Sequence, residues 1–182
     1  MRNLPVLCCC LALACGVAVA QGLSPKAGAV SGGLYTNLYF GMNYKLPADW
    51  TVSFVATEGV CERECVLLDA SAPEEKSRRA VTVTAELLSA AGSPEQASLA
   101  GKALEEMGAK KVAPVKEIFI AGRKAYRADY SSKLVAGEVY YTIVVLPAKD
   151  YALVFSFSSE SRKHLDVMVN ELPKAINFVG QS

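Results

Sequence analysis

The sequence predicts an α+β fold: a single domain on one central antiparallel sheet, preceded by a signal peptide. Three observations point there. The stretch from Val112 to Phe157 alternates apolar and polar residues and is interrupted only by short turn signals. Amphipathic helical patterns stand before and after it. The first twenty residues have the make-up of an export leader.

In that leader Arg2 precedes an apolar run from Leu4 to Ala20, and Ala18 and Ala20 place small residues before Gln21, so cleavage is expected after Ala20. A retained anchor is the competing reading, but Leu4 to Ala20 is about the shortest run that spans a hydrocarbon core, and the cleavage pattern follows at once. Lipidation at Cys15 is a further alternative, weakened by Ala12 standing where a bulkier aliphatic residue is usual. The mature chain is therefore expected to be secreted or periplasmic, with no integral membrane span.

Cleavage changes the remaining counts. Of 19 basic residues only Arg2 leaves, which balances 18 basic against 18 acidic groups. Proteins that bind phosphate backbones or anionic head groups carry an excess of Lys and Arg, so nucleic acid and bulk membrane surfaces are excluded as expected partners. Of six cysteines, Cys8, Cys9, Cys10 and Cys15 depart, leaving Cys61 and Cys65 in a compartment that favours disulfides.

Residues 21–33, rich in Gly, Ser, Ala and Pro without any period, read as a flexible linker, and residues 34–182 as the domain. From Leu34 to Leu46 the residues Phe40, Met42, Tyr44 and Leu46 alternate as in a half-buried strand, until Pro47 stops it. Thr51 to Val55 reads as a second short strand, Ala56 to Glu64 as a loop, and Val66 to Leu68 as a short apolar strand. Residues 73–79 form a charged excursion. In the strand from Val81 to Leu87 the apolar odd positions face one way, and Thr82, Thr84 and Glu86 the other. Ser93-Pro94-Glu95-Gln96 carries a helix start, with Ala97, Ala100, Leu104 and Met107 as the inward stripe and Gly108 as the stop.

The meander follows: Val112 to Phe119, a tight turn at Ala121-Gly122, Lys124 to Tyr130, a looser turn over Ser131 to Gly137, Glu138 to Leu146, a turn at Pro147 to Asp150, then Tyr151 to Ser158. Connections this short force antiparallel neighbours. A final helix is expected to be capped by Ser158 or Ser159 and to bury Leu165, Met168, Val169, Leu172 and Ile176, with Pro173 kinking or ending it.

The pattern Tyr35-x-Asn37-x-x-Phe40-Gly41-Met42-x-Tyr44-x-x-Pro47-x-x-Trp50, with a strand pair, a helix, a four-strand meander and a closing helix, resembles the PsbP-like superfamily. Met42 stands where a second phenylalanine is usual. The resemblance spans about Leu34 to Phe178 and implies an α/β/α sandwich around a central antiparallel sheet. It also implies a non-enzymatic protein, since members include accessories of photosynthetic membrane complexes, a nuclear-transport regulator and chaperone-like lipoproteins. It carries over no site residue.

The residues themselves offer few reactive groupings. Cys61 and Cys65 read as a structural disulfide, against free packed thiols or redox or metal work. Glu62 and Glu64 between them read as a solvated rim. A closed zinc site needs four Cys or His ligands, and His164 is the only histidine. His164 also lacks the nucleophile and orienting acid that catalysis requires. Trp50, Tyr126, Tyr130, Tyr140 and Tyr151 are candidates for a partner or ligand surface, with packing of aromatic residues as the plainer account. Tyr141 belongs to the same run. Arg78-Arg79 and Lys110-Lys111 are basic doublets in loops, too short for a nucleic-acid footprint.

The expected function is thus a non-catalytic domain that binds an unknown protein partner in the cell envelope or assists an envelope complex, as a monomer, with no cofactor and no metal. The alternatives are a small-ligand or ion carrier and a thiol–disulfide protein using Cys61 and Cys65.

Overall fold

The computed structural model describes residues 23–73, 78–88, 94–135 and 137–179. The expected leader and its cleavage site, Cys15, and the expected cap at Ser93 lie outside these residues. In chain order the elements are β1 (Gly28–Ser31), β2 (Leu34–Asn37), β3 (Met42–Lys45), β4 (Thr51–Val55), β5 (Glu64–Ser71), β6 (Arg79–Leu87), α1 (Pro94–Glu106), β7 (Lys110–Lys111), β8 (Lys116–Ile120), β9 (Arg123–Leu134), β10 (Gly137–Ala148), β11 (Tyr151–Ser159), α2 (Arg162–Ala175) and β12 (Ile176–Phe178).

The expected single sheet is two. An eight-stranded antiparallel sheet runs β4-β5-β6-β11-β10-β9-β7, with β8 also paired to β9, and a separate four-stranded sheet runs β1-β2-β3-β12. The division has a local cause. Leu34 to Leu46 is a hairpin rather than one strand: Asn37 is fully buried and bridges its corner, its Nδ2 donating to Pro25 O at 2.7 Å and to Tyr35 Oη at 3.1 Å while its Oδ1 accepts from Phe40 N at 3.1 Å. After α2 the chain returns antiparallel to β3, Ile176 opposite Tyr44 and Phe178 opposite Met42, and so completes the small sheet with its C-terminal strand.

The stretch read as a flexible linker is also corrected in part, because Gly28–Ser31 pairs with β2 from Gly28↔Asn37 to Ser31↔Leu34. Main-chain pairing needs no apolar side chains. Gly28 in fact needs no side chain at all, since a Cβ there would stand 2.8 Å from the Tyr35 ring and 2.9 Å from Ala56 O.

The four strands β8, β9, β10 and β11 of the meander are adjacent and antiparallel as expected, but the first begins at Lys116 rather than Val112, after Pro114, which has no N–H to give a ladder. Ala121 and Gly122 take φ of 48° and 76°, the left-handed pair that a two-residue hairpin turn requires. The second strand outruns the sequence reading: β9 continues to Leu134, and Ser131 and Ser132 pair with Tyr140 and Val139 where a loose turn was expected. Pairing along an existing ladder outweighs the weak strand preference of serine and lysine. Pro147 likewise stays in β10, opposite Ala152. The pairing with β9 stops at Val145, so on that side the missing proline N–H breaks no ladder.

Two apolar layers hold the sheets and helices together. Between the sheets, Tyr35, Phe40, Met42, Tyr44 and Leu46 meet Val81, Val83, Ala85, Val144, Leu146, Leu153, Phe155 and Phe157, with Leu165, Val169 and Leu172 of α2 closing the side. The Tyr44 and Phe155 rings meet edge-to-face across this layer, centroids 5.8 Å apart. On the opposite face of the large sheet, Ala97 of α1 covers Tyr126, Ala128, Tyr130, Ile143, Val145, Ala152 and Val154. Val81, Val83 and Ala85 of β6 are fully buried, as its alternation predicts, whereas Leu87, expected on the same face, is 47% exposed at the end of the strand.

Both helices follow their patterns with local differences. Gly108 ends α1 in the left-handed region at φ 90°, while Met107, expected on the inward stripe, is 72% exposed because the helix ends one residue earlier. Ser161, not Ser158 or Ser159, caps α2 by accepting from His164 N, because β11 extends through Ser159. Pro173 lies inside α2, which ends two residues later. Lys110 and Lys111 pair with β9, and Arg79 opens β6, so none of these three residues sits in a loop.

Candidate functional site

The chain between β3 and β4 makes a tight turn, Trp50 N donating to Pro47 O at 3.1 Å. This turn holds the indole of Trp50 against the edge of the main core, facing the C-terminal half of α2. Between them lies a groove of about 490 Å³, within the range of roughly 300–1,000 Å³ usual for ligand sites. Leu46, Phe157 and Leu172, all nearly fully buried, and the partly buried Met168 give it an apolar floor. Lys45, Glu171 and Lys174 give it a charged rim, where Lys174 and Glu171 pair at 2.9 Å.

Two residues of the walls each carry a buried donor without an acceptor. Trp50 Nε1 and Arg79 Nε are both buried and make no hydrogen bond. Such a group costs about 1–3 kcal/mol while unpaired. Arg79 Nη2 stands 3.7 Å from Asp49 Oδ2, a loose ion pair beyond hydrogen-bond distance. The lining includes no thiol, imidazole, serine or threonine, and its one phenol, Tyr44, is pushed far above the usual tyrosine range by burial. The groove thus joins an apolar floor to a rim that carries Lys45, Glu171 and Lys174.

Arg79 is the residue that sequence reasoning missed. Its doublet with Arg78 suggests a solvated loop, yet 79 shares odd parity with the buried Val81, Val83 and Ala85 of β6, and that parity places it toward the core.

The other aromatic candidates do not join Trp50. Tyr126 and Tyr130 lie under α1 on the opposite face of the large sheet. Tyr140 belongs to the inter-sheet side and donates to Glu138 Oε2 at 2.7 Å. Tyr151 donates to Cys61 O at 3.0 Å and packs edge-to-face with Tyr39 and Phe40 at 6.0 Å each. A strand sends alternate residues to opposite faces, so one run of tyrosines supplies two layers.

Cys61 and Cys65 are joined, with Sγ–Sγ 2.10 Å and Cα–Cα 5.5 Å. They are 5% and 8% exposed and form part of the main core, beneath an exposed rim of Glu62 and Glu64.

A polar cluster joins the large sheet to α2. The buried Asp129 accepts from Thr142 Oγ1 at 2.6 Å and from Arg127 Nε at 2.9 Å, and Arg127 Nη2 continues to Asp166 Oδ1 at 3.0 Å. Its charges answer one another, which suits a structural clamp. Among the described residues no group of three or more His, Cys, Asp or Glu side chains gathers where a metal ion could sit, and no helix is long and apolar enough to cross a membrane.

No family model and no curated protein matches the sequence. Among solved structures, the chain is similar to the solution structure of cyanobacterial PsbP (CyanoP) from Synechocystis sp. PCC 6803, with a TM-score of 0.59 at 12% identity, covering 82% of this chain and 95% of that one. LpqN of Mycobacterium tuberculosis, described as involved in cell envelope biogenesis, aligns at a TM-score of 0.49 and 11% identity, over 76% of this chain and 83% of LpqN. The Ran-binding protein Mog1p of Saccharomyces cerevisiae aligns at 0.39 and 12%, over 81% and 91%. The first of these shows the fold.

Proposed function

From the PsbP-like α+β fold of this chain we propose that it is a non-catalytic accessory domain, exported to the cell envelope, that binds a protein partner at the groove between Trp50 and α2. The observation that carries this reading is the pair of unsatisfied N–H groups, Trp50 Nε1 and Arg79 Nε, over an apolar floor. Buried polar groups are nearly always paired, and a partner that brings an acceptor would relieve both. The leader-like composition of residues 1–20 supports export, and the apolar floor with its charged rim supports a contact surface.

A photo-crosslinking residue at Val167, a half-exposed position on the groove wall, tests it in the native host. One defined envelope adduct, lost when Trp50→Ala is added, is the expected result. Absence of any adduct while the purified chain turns over a substrate would sink the reading.

The groove volume gives a second reading, a small-ligand carrier, some support. A metabolite or metal that raises the unfolding midpoint by mass action would favour the carrier over the partner-binding domain.

A further inference from the structure

We propose that the groove takes the free C-terminal carboxylate of a partner polypeptide whose last residue is bulky and apolar. The inference rests on the reading of the groove as the partner site and names what enters it.

The two unpaired N–H groups are buried and belong to elements far apart in sequence, the turn after β3 and the first residue of β6, yet both residues line one cavity, so a small shift of either side chain would turn its donor to an entering acceptor. Charge there leans positive: Lys174 is paired with Glu171, and Arg79 is loosely paired with Asp49, which leaves Lys45 as an excess cation of the lining. The site therefore favours an anion. Asp49, 3.7 Å from Arg79 Nη2, leaves the guanidinium with donors to spare.

Two N–H donors over apolar carbon suit a planar, two-oxygen acceptor on an apolar body. A phosphate would offer more acceptor oxygens than the two N–H groups can meet, and nothing to cover Leu46, Phe157 and Leu172. In a C-terminal residue the carboxylate and side chain leave the same carbon, so one can meet Trp50 and Arg79 while the other rests on the floor. A glutamate side chain brings only methylenes. The rim favours a polypeptide over a free acyl chain, because Lys174 can donate to a peptide carbonyl and Glu171 accept from a peptide N–H, and an acyl chain offers neither.

Trp50 is the only tryptophan, so its indole N–H resonance and emission report on this groove alone. The full chain is titrated with N-acetyl-glycyl-leucine, with its C-terminal amide, and with octanoate. The expected result is saturable movement of the indole resonance by the peptide acid, with the amide at least about ten-fold weaker, the difference of one charge-assisted hydrogen bond. Octanoate should be weaker than the peptide acid. Arg79→Gln should erase the preference for acid over amide, and Arg79→Lys should restore part of it; the acid-to-amide comparison on the unaltered chain needs neither variant to fold. Equal binding of acid and amide overturns the carboxylate while leaving the groove as the partner site. Octanoate binding as tightly as the peptide acid overturns the polypeptide source. An indole resonance unmoved by every probe overturns the inference, and a crosslink at Val167 obtained at the same time would show the partner-binding reading standing without it.

Discussion

Gly101 of α1 lies directly over the hydroxyl of Tyr130: a Cβ built on it would stand 1.8 Å from Tyr130 Oη and 2.2 Å from Cζ. The helix approaches the sheet this closely because the residue has no side chain. Gly101→Ala should therefore destabilise the protein, by up to about 2 kcal/mol in chemical denaturation. Overpacking costs about 1–3 kcal/mol, which outweighs the roughly 1 kcal/mol of helix propensity gained. A stabilised variant would show that α1 sits farther from β9. Since Tyr130 Oη is buried without a partner, Tyr130→Phe should be neutral or slightly stabilising.

Asp129 and Thr142 should prove coupled. Removing a partner from a buried charge is expensive, so Asp129→Ala should cost about 3 kcal/mol. Thr142→Val deletes a hydrogen bond to a charged group and should cost about 2 kcal/mol. The double variant should lose clearly less than the two costs added, because both remove the same 2.6 Å hydrogen bond. Strict additivity in urea denaturation would count against a shared clamp.

Alkaline unfolding should be governed by the buried tyrosines. Burial pushes the Tyr35 phenol up from 10.0 to about 12, the hydrogen bond from Asn37 offsetting only part of the effect, and burial raises Tyr44 as well. The unfolded chain thus loses these protons at lower pH than the folded chain. The stability due to Tyr35 is fully present below pH 10 and falls as pH rises from 10 toward 12. The fall amounts to about 3 kcal/mol for this residue. Tyr35→Phe should make stability flatter across that window, and an unchanged profile in pH-dependent denaturation would disprove the assignment.

The Cys61–Cys65 ring is short, so its constraint on the unfolded chain is small. Replacing both cysteines by alanine should cost about 2 kcal/mol and leave the fold intact. With both sulfurs almost wholly buried, the oxidised protein should show no insulin-reducing activity before it unfolds. Activity in the native protein, lost in Cys61→Ala, would revive the thiol–disulfide reading.

Much of the fold was legible because it rests on short-range physics. Alternation gave the faces of β6 and the meander, the left-handed pair Ala121-Gly122 its first turn, and helical spacing the buried face of α2 at Leu165, Val169 and Leu172. The Asn37…Phe40-Gly41-Met42 motif pointed to the fold, and the structure explains it: Asn37 ties the corner, Phe40 and Met42 are fully buried, and Gly41, at φ 60°, lets Val179 O come within 2.5 Å of where a Cβ would stand.

What residues alone determined here is periodicity and turn chemistry, settled by neighbours a few positions apart, and the short spacing of Cys61 and Cys65 made their pairing the expected reading. Which strands share a sheet was decided only in three dimensions. β12 must cross α2 before it meets β3, and nothing local to Ile176–Phe178 marks that partner. The groove was decided the same way: Trp50, Arg79, Phe157 and Leu172 are distant in sequence, and burial of the apolar layer between two sheets and a helix brings them around one space.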